Sequence, residues 1–185
     1  CDTAAIITPA YAAQLKLLGY EAVGRYYRRS LVSRWAVSPE EAATIFKAGL
    51  YLFVFFQGDK ATERPGYYKA ANGDIDGAAA CAKGKQMMQP AGTVIYHAVD
   101  TDVTGETIGG VVEYFEAVNN QYEKADAIFG VGCYGDDLVC RTLQEKGLAT
   151  CAVLANATGW RTDKAFDTWN IKQGPQFTLP FGLQI

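Results

Sequence analysis

Apolar positions along the chain recur in two rhythms. Short runs rich in β-branched and aromatic residues occupy 22–27, 51–57, 93–100, 127–135, 151–156 and 167–173, and a tail at 182–185 could be one more. These read as strands. Between them lie stretches with helical spacing. Ser38-Pro39-Glu40-Glu41 opens one, with Ser38 as N-cap and Pro39 in the first turn, and Gly49 ends it. An Ala-rich segment at 74–88 predicts a second helix, and 108–119 and 137–146 predict two more, the last stopped by Gly147.

Near-continuous apolar strands alternating with helices predict an α/β fold with a parallel sheet covered on both faces. A closed (β/α) barrel and an open doubly wound sheet both satisfy that pattern. The strand count favours a TIM-type barrel, as does the lack of a glycine-rich phosphate loop after an early strand. Gly130, Gly132 and Gly135 make a loose glycine pattern, but it lies within a strand rather than at a strand-to-helix turn. With 185 residues the chain reads as one compact domain spanning 1–185. Complete barrels run to about 250 residues, so the first and last strands are expected to be clipped.

Composition narrows the function. The chain is 49% hydrophobic and 20% charged, as a folded globular protein is. Its net charge of −3, with no basic cluster beyond 25–34, argues against nucleic acid as partner. No apolar run approaches the roughly 18–20 residues of a membrane span. The five cysteines, Cys1, Cys81, Cys133, Cys140 and Cys151, contain no C-x-x-C pair, so no zinc or redox motif is implied. Cys140 and Cys151 flank a helix-to-strand connection and are a candidate bridge.

The chemistry concentrates where an apolar run, Val94-Ile95-Tyr96-His97-Ala98-Val99, ends in Asp100-Thr101-Asp102. Asp100 and Asp102 share a face if the strand continues through them. Paired carboxylates at the end of a buried strand suit glycoside hydrolysis, one as acid and the other ionised. Helix capping near 108 and metal binding are the competing roles, although no further ligand cluster accompanies them. His97, the sole histidine, has opposite parity and points away from that face, so no Ser-His-Asp or Cys-His site is expected. Arg25 and Tyr27 share one strand face, either to bind sugar hydroxyls or, for Arg25, as a buried ion-pair partner. Tyr134, Trp160 and Trp169 at strand ends are candidate sugar-stacking platforms, with core packing as the alternative. Gln57 and Gln173 end apolar strands, where they can hydrogen-bond a substrate. Tyr67-Tyr68 and Asn72-Gly73 fall in a loop where a cleft wall is expected. Asp136-Asp137 reads as a helix N-cap.

Several segments in order resemble the glycoside hydrolase-like domain related to glycoside hydrolase family 25, the muramidases. Cys1-Asp2-Thr3 is similar to its opening strand end, and Gly24-Arg25-Tyr26-Tyr27 to its G-R-Y-Y. Ala48-Gly49-Leu50, Phe55-Phe56-Gln57, the run ending in Asp100 and Asp102, Gly130 to Gly135, and Trp169 with Gln173 follow in the family's order. The resemblance implies a (β/α) barrel with Asp2, Asp100 and Asp102 as catalytic carboxylates and Asp102 as the acid. In family 25 itself a glutamate stands where Asp102 does, one methylene longer. The resemblance further implies cleavage of a β-1,4-linked amino-sugar polymer such as peptidoglycan, no cofactor, and a secreted or cell-envelope location. The expected clipped ends suggest a domain excised from a larger secreted polypeptide. A catalytically silent carbohydrate-binding barrel is the alternative.

Overall fold

The computed structural model describes residues 1–31, 33–58, 64–156 and 166–185. Eleven helices and strands follow one another as α1 (Pro9–Leu17), β1 (Ala22–Tyr27), α2 (Pro39–Lys47), β2 (Tyr51–Phe56), α3 (Ala70–Gln86), β3 (Val94–Ala98), α4 (Ile108–Lys124), β4 (Gly130–Gly135), α5 (Asp137–Glu145), β5 (Cys151–Leu154) and β6 (Ile171–Lys172). A short 3-10 turn, Pro65–Tyr67, precedes α3.

Side-chain caps set the helix starts. Thr8, Ser38 and Asp136 each accept a hydrogen bond from the backbone three residues on, ahead of α1, α2 and α5. Proline stands at the first position of α1 and α2, where its missing N–H costs nothing. The α1 helix was not expected from sequence, because only Ala12 and Leu15 of it are buried and no apolar stripe announces it. Predicted helix 74–88 starts four residues earlier, at Ala70, without a side-chain cap.

All six strands are parallel and lie in sequence order, β1-β2-β3-β4-β5-β6. The sheet curls into a half-barrel with the helices outside it. Residues 1–3 extend it past β1: Asp2 bridges Gly24 in parallel, Gly24 N–H donates to Cys1 O at 2.7 Å and Thr3 N–H to Gly24 O at 3.2 Å. The closed barrel expected from the strand count is therefore not formed. With β6 only two residues long, no backbone ladder joins it to the chain start among the described residues. Nor are the terminal strands clipped, since β1 begins at Ala22 and β6 ends at Lys172, both inside the chain. The tail at 182–185 makes no further parallel strand. It folds back on 177–179, with Phe177 and Ile185 exchanging backbone hydrogen bonds and Thr178 bridging Gln184 in antiparallel fashion.

Three apolar clusters hold these layers. The largest packs the outer face of the sheet (Tyr27, Val54, Phe56, Ile95, Val131, Cys133) against α3, α4 and α5. Glycines let α3 and α4 approach closely, for a Cβ at Gly73 would collide with the Tyr114 carbonyl. A second cluster joins α1, α2 and β1 to Leu179 and Leu183 of the C-terminal turn. The third lies on the concave face: Phe55, Tyr96 and Val153, flanked by Tyr26, Phe53, Tyr134 and Ile171. All five cysteines are free thiols, so Cys140 and Cys151 are not bridged. The Cys140 thiol faces the carbonyls of Gly135 and Val153 instead. No helix among the described residues is long and apolar enough to cross a membrane.

Candidate active site

The concave face ends in a small cavity of about 70 Å³ at the C-terminal end of the strands. It is lined by Asp2, Tyr26, Phe55, Gln57, Ala98, Asp100, Tyr134 and Gln173. The cavity continues into a groove of about 710 Å³ along the unclosed side of the sheet, which adds Phe53, Asn156, Ile171 and Lys172. Each residue lining the small cavity sits on the inner parity of its strand or just beyond a strand end. Tyr26, Phe55, Ala98 and Tyr134 point inward, while their neighbours Tyr27, Phe56, His97 and Cys133 pack under the helices.

Two carboxylates face this space, each held by a glutamine. The Gln57 amide donates to Asp100 Oδ2 at 3.1 Å. The Gln173 amide donates to both oxygens of Asp2 at 3.4 Å. The orientation of Gln173 is fixed from its other end, where Oε1 accepts from the Tyr134 hydroxyl at 3.0 Å and the Asn156 N–H at 3.2 Å. With its oxygen so engaged, only its NH2 can face Asp2.

Burial raises the Asp2 pKa, and hydrogen bonds from Gln173 and Tyr26 offset part of that rise. Tyr26 is pushed up to about 12, first by burial and then by the Asp2 charge. Tyr134 moves in the same direction by burial and the charges of Asp100 and Asp2. Both phenols therefore stay protonated across the working range and act as donors. The arrangement offers a carboxyl biased toward its protonated form, a second carboxylate, two phenolic donors and the rings of Tyr26, Phe55 and Tyr134 as apolar walls.

Five of the residues singled out from sequence meet in this cavity: Asp2, Gln57, Asp100, Tyr134 and Gln173. Four lie elsewhere. Asp102 is exposed and lines neither cavity nor groove. Because β3 ends at Ala98, strand parity no longer governs the side chain at 102, which lies close enough to Asp136 to help raise the pKa of that residue. Arg25 is fully buried on the outer face. Its Nε donates to Glu41 Oε1 at 2.6 Å and its Nη1 to the Thr3 carbonyl at 2.7 Å, so it is the buried ion-pair partner and not a sugar ligand. Tyr27 shares that face and packs in the helix-side core. Trp169, 40% exposed just ahead of β6, does not line the cavity. Trp160 lies outside the described residues.

Sequence reasoning missed Tyr26 and Phe55. The signal was the alternation itself: whichever face carries Arg25 and Tyr27, Tyr26 occupies the other. The pair Tyr67-Tyr68 is buried and supports the β3 end instead of walling the cleft. Asp136 caps α5, its Oδ1 accepting from Val139 N–H at 2.7 Å. Among the described residues no group of three or more His, Cys, Asp or Glu side chains is arranged to hold a metal ion.

Comparison with known proteins adds a family to this geometry. The model of the Rv2525c-like, glycoside hydrolase-like domain matches residues 13–178. In Bacillus subtilis (strain 168), the uncharacterized protein YbfG is 29% identical over 197 residues, covering 98% of this chain and 27% of YbfG. The uncharacterized protein FadG of the same organism is 31% identical over 165 residues, covering 86% of this chain and 28% of FadG. The chain thus spans little more than a quarter of either relative. Among solved structures, the Mycobacterium tuberculosis Tat-secreted protein Rv2525c in complex with HEPES superposes with a TM-score of 0.78 at 19% identity, covering 99% of this chain and 91% of that one. Its complex with L-tartrate gives 0.75 at 18% identity, with 99% and 96% covered. At these identities the likeness speaks for the fold. The match of the family model over most of its length makes this chain a member of the Rv2525c-like, glycoside hydrolase-like domain family.

Proposed function

We propose that this domain is a glycosidase related to family 25, acting on a β-1,4-linked amino-sugar polymer such as peptidoglycan, with the Asp2–Asp100 cavity as its active site. The observation that carries the reading is the pair of carboxylates in one aromatic-walled cavity, of which Asp2 has its pKa raised by burial. Asp2 in its protonated form donates to the glycosidic oxygen as the bond to the anomeric carbon breaks. Asp100, its Oδ2 held by Gln57, stabilises the positive charge that develops on the sugar ring, or takes the proton of the incoming water. The faces of Tyr26, Phe55 and Tyr134 match the C–H surface of a pyranose, and the glutamines bind its hydroxyls. Asp102 has no part in this mechanism, since its side chain lies outside the cavity.

Secretion of Rv2525c and the greater length of YbfG and FadG support an extracytoplasmic module of a larger polypeptide, with access to wall polymer. A second reading, a sugar-binding barrel without turnover, is favoured by one observation: the residue that stands where family 25 has its acid is exposed and away from the cavity.

The test is release of soluble reducing ends from purified peptidoglycan by wild type, Asp2→Asn and Asp100→Asn. Release that either substitution abolishes supports the glycosidase. Retention of the polymer in a pull-down without release supports the binding module.

A further inference from the structure

On its β2 side, the end of β3 is held by something other than the sheet. Parallel register pairs Phe56 of β2 with His97 of β3, and continuing it would set Gly58 opposite Val99. In such a ladder the Gly58 N–H would bond Ala98 O and its C=O would accept from Asp100 N–H. Neither bond forms, because β2 ends at Phe56 and Gly58 lies against the Tyr67 hydroxyl and Asp76. The Tyr68 hydroxyl stands in the vacated position. It donates to Ala98 O at 3.1 Å and accepts from Asp100 N–H at 3.1 Å, supplying donor and acceptor from one atom.

The Tyr68 ring is itself pinned. It is 4% exposed and meets Tyr67 and Tyr114 edge-on, with centroids 5.3 and 5.4 Å away. Both of those hydroxyls end on Asp76, at 2.6 and 2.8 Å, and Arg29 Nε reaches the same fully buried carboxylate at 2.6 Å. Gly110 of α4 lets the Tyr68 backbone seat closely, since a Cβ there would come within 2.6 Å of the Tyr68 carbonyl.

We infer that Tyr68 is the positioning residue for Asp100. Through its ring and hydroxyl, the buried Asp76 carboxylate, paired with the half-buried Arg29, fixes from the helix side of the sheet the backbone from which the Asp100 carboxylate enters the cavity. This rests on the glycosidase reading above and adds to it a residue that touches no substrate. A carboxylate displaced by a fraction of an ångström still binds sugar but stabilises the transition state less well.

The experiment compares Tyr68→Phe with Tyr122→Phe on purified peptidoglycan. Tyr122→Phe removes a different buried hydroxyl, the one bonded to His97 at 3.1 Å on the outer face. Tyr68→Phe is expected to lower turnover at saturating polymer about tenfold or more while half-saturation stays within about twofold. Tyr122→Phe should lower the melting temperature and leave both kinetic constants in place. Wild-type turnover in Tyr68→Phe, with Asp100→Asn inactive, overturns the positioning role and leaves the glycosidase reading standing. If wild type releases nothing, the glycosidase reading fails and amide exchange decides. Exchange at Asp100 N–H faster by about a hundredfold in Tyr68→Phe, with Val99 N–H protected by Tyr134 O as before, supports the role, and equal exchange overturns it.

Discussion

Gln173 donates to both carboxylate oxygens of Asp2 across 171 residues of sequence, at the side where the curled sheet carries no backbone ladder among the described residues. The unclosed side is thus bridged by a side-chain contact to a candidate catalytic carboxylate. Anything that spreads the sheet also moves Asp2, so the geometry of the cavity and the curvature of the fold are coupled at this contact.

Activity should follow the cavity and not the sequence motif. Asp2→Asn and Asp100→Asn are each expected to lower fragment release by about 100-fold or more, in line with the loss of a general acid or its partner. Asp102→Asn should stay within about twofold of wild type. A colorimetric assay of reducing ends over time separates the three.

The single histidine gives a clean titration. His97 is wholly buried, and burial lowers its pKa to about 3. The unfolded chain takes up a proton near pH 6.5 and the folded imidazole only near pH 3. Stability from this group is therefore intact above about pH 6.5 and declines as pH falls toward 3, by at most about 1.4 kcal/mol per pH unit. The imidazole NMR signals should show no titration between pH 8 and about 4.5, and a shift centred near pH 6.5 would contradict the burial.

Asp136 shows the opposite sign. Burial, with help from the Asp137 and Asp102 charges, raises its pKa to about 6, and its Oδ2 has no hydrogen-bond partner among the described residues. Between the unfolded value of 3.8 and about 6 the folded state holds the proton more tightly, so this contribution is lost as pH rises. Asp136→Asn keeps the α5 cap and removes the buried charge. It should raise stability by about 1–2 kcal/mol at pH 7 and change nothing near pH 3.5, as read by urea unfolding at the two pH values.

Arg25→Met should cost about 3–5 kcal/mol, because it leaves the Glu41 carboxylate buried without its cation. The Thr3 carbonyl also loses its Nη1 donor, one residue from Asp2. Urea unfolding of Arg25→Met, Glu41→Leu and the double variant gives the coupling, and the double variant should recover part of the loss.

The alternation of strands and helices was legible in the chain, and so was the parity that sends His97 outward and Ala98 inward. Parity alone could not say which face of a doubly buried strand is concave. For that reason the sequence makes Arg25 and Tyr27 as good candidate ligands as Tyr26, although it is Tyr26 that reaches the cavity. The face is decided by tertiary packing: Arg25 pairs with Glu41 of α2 while Tyr26 packs on Phe55 at the concave side, contacts between segments with no local signature. Asp102 lies apart from Asp100 for a related reason: spacing of two means a shared face only while the strand lasts, and β3 stops at Ala98. Closure of the barrel was overestimated because counting apolar runs gives no strand lengths, and the run at 167–173 yields a strand of only two residues.

Gly24 sits where Asp2 crosses β1, and a Cβ there would come within 2.7 Å of the Asp2 Cβ and 2.6 Å of the Phe53 ring. The carboxylate reaches its place only over a residue that has no side chain. Among relatives of this domain, an unvarying glycine at this position would record a shortage of room and carry no message about the reaction. A relative with an alanine there must hold its first carboxylate somewhere else, and with it a different set of partners for any sugar it binds.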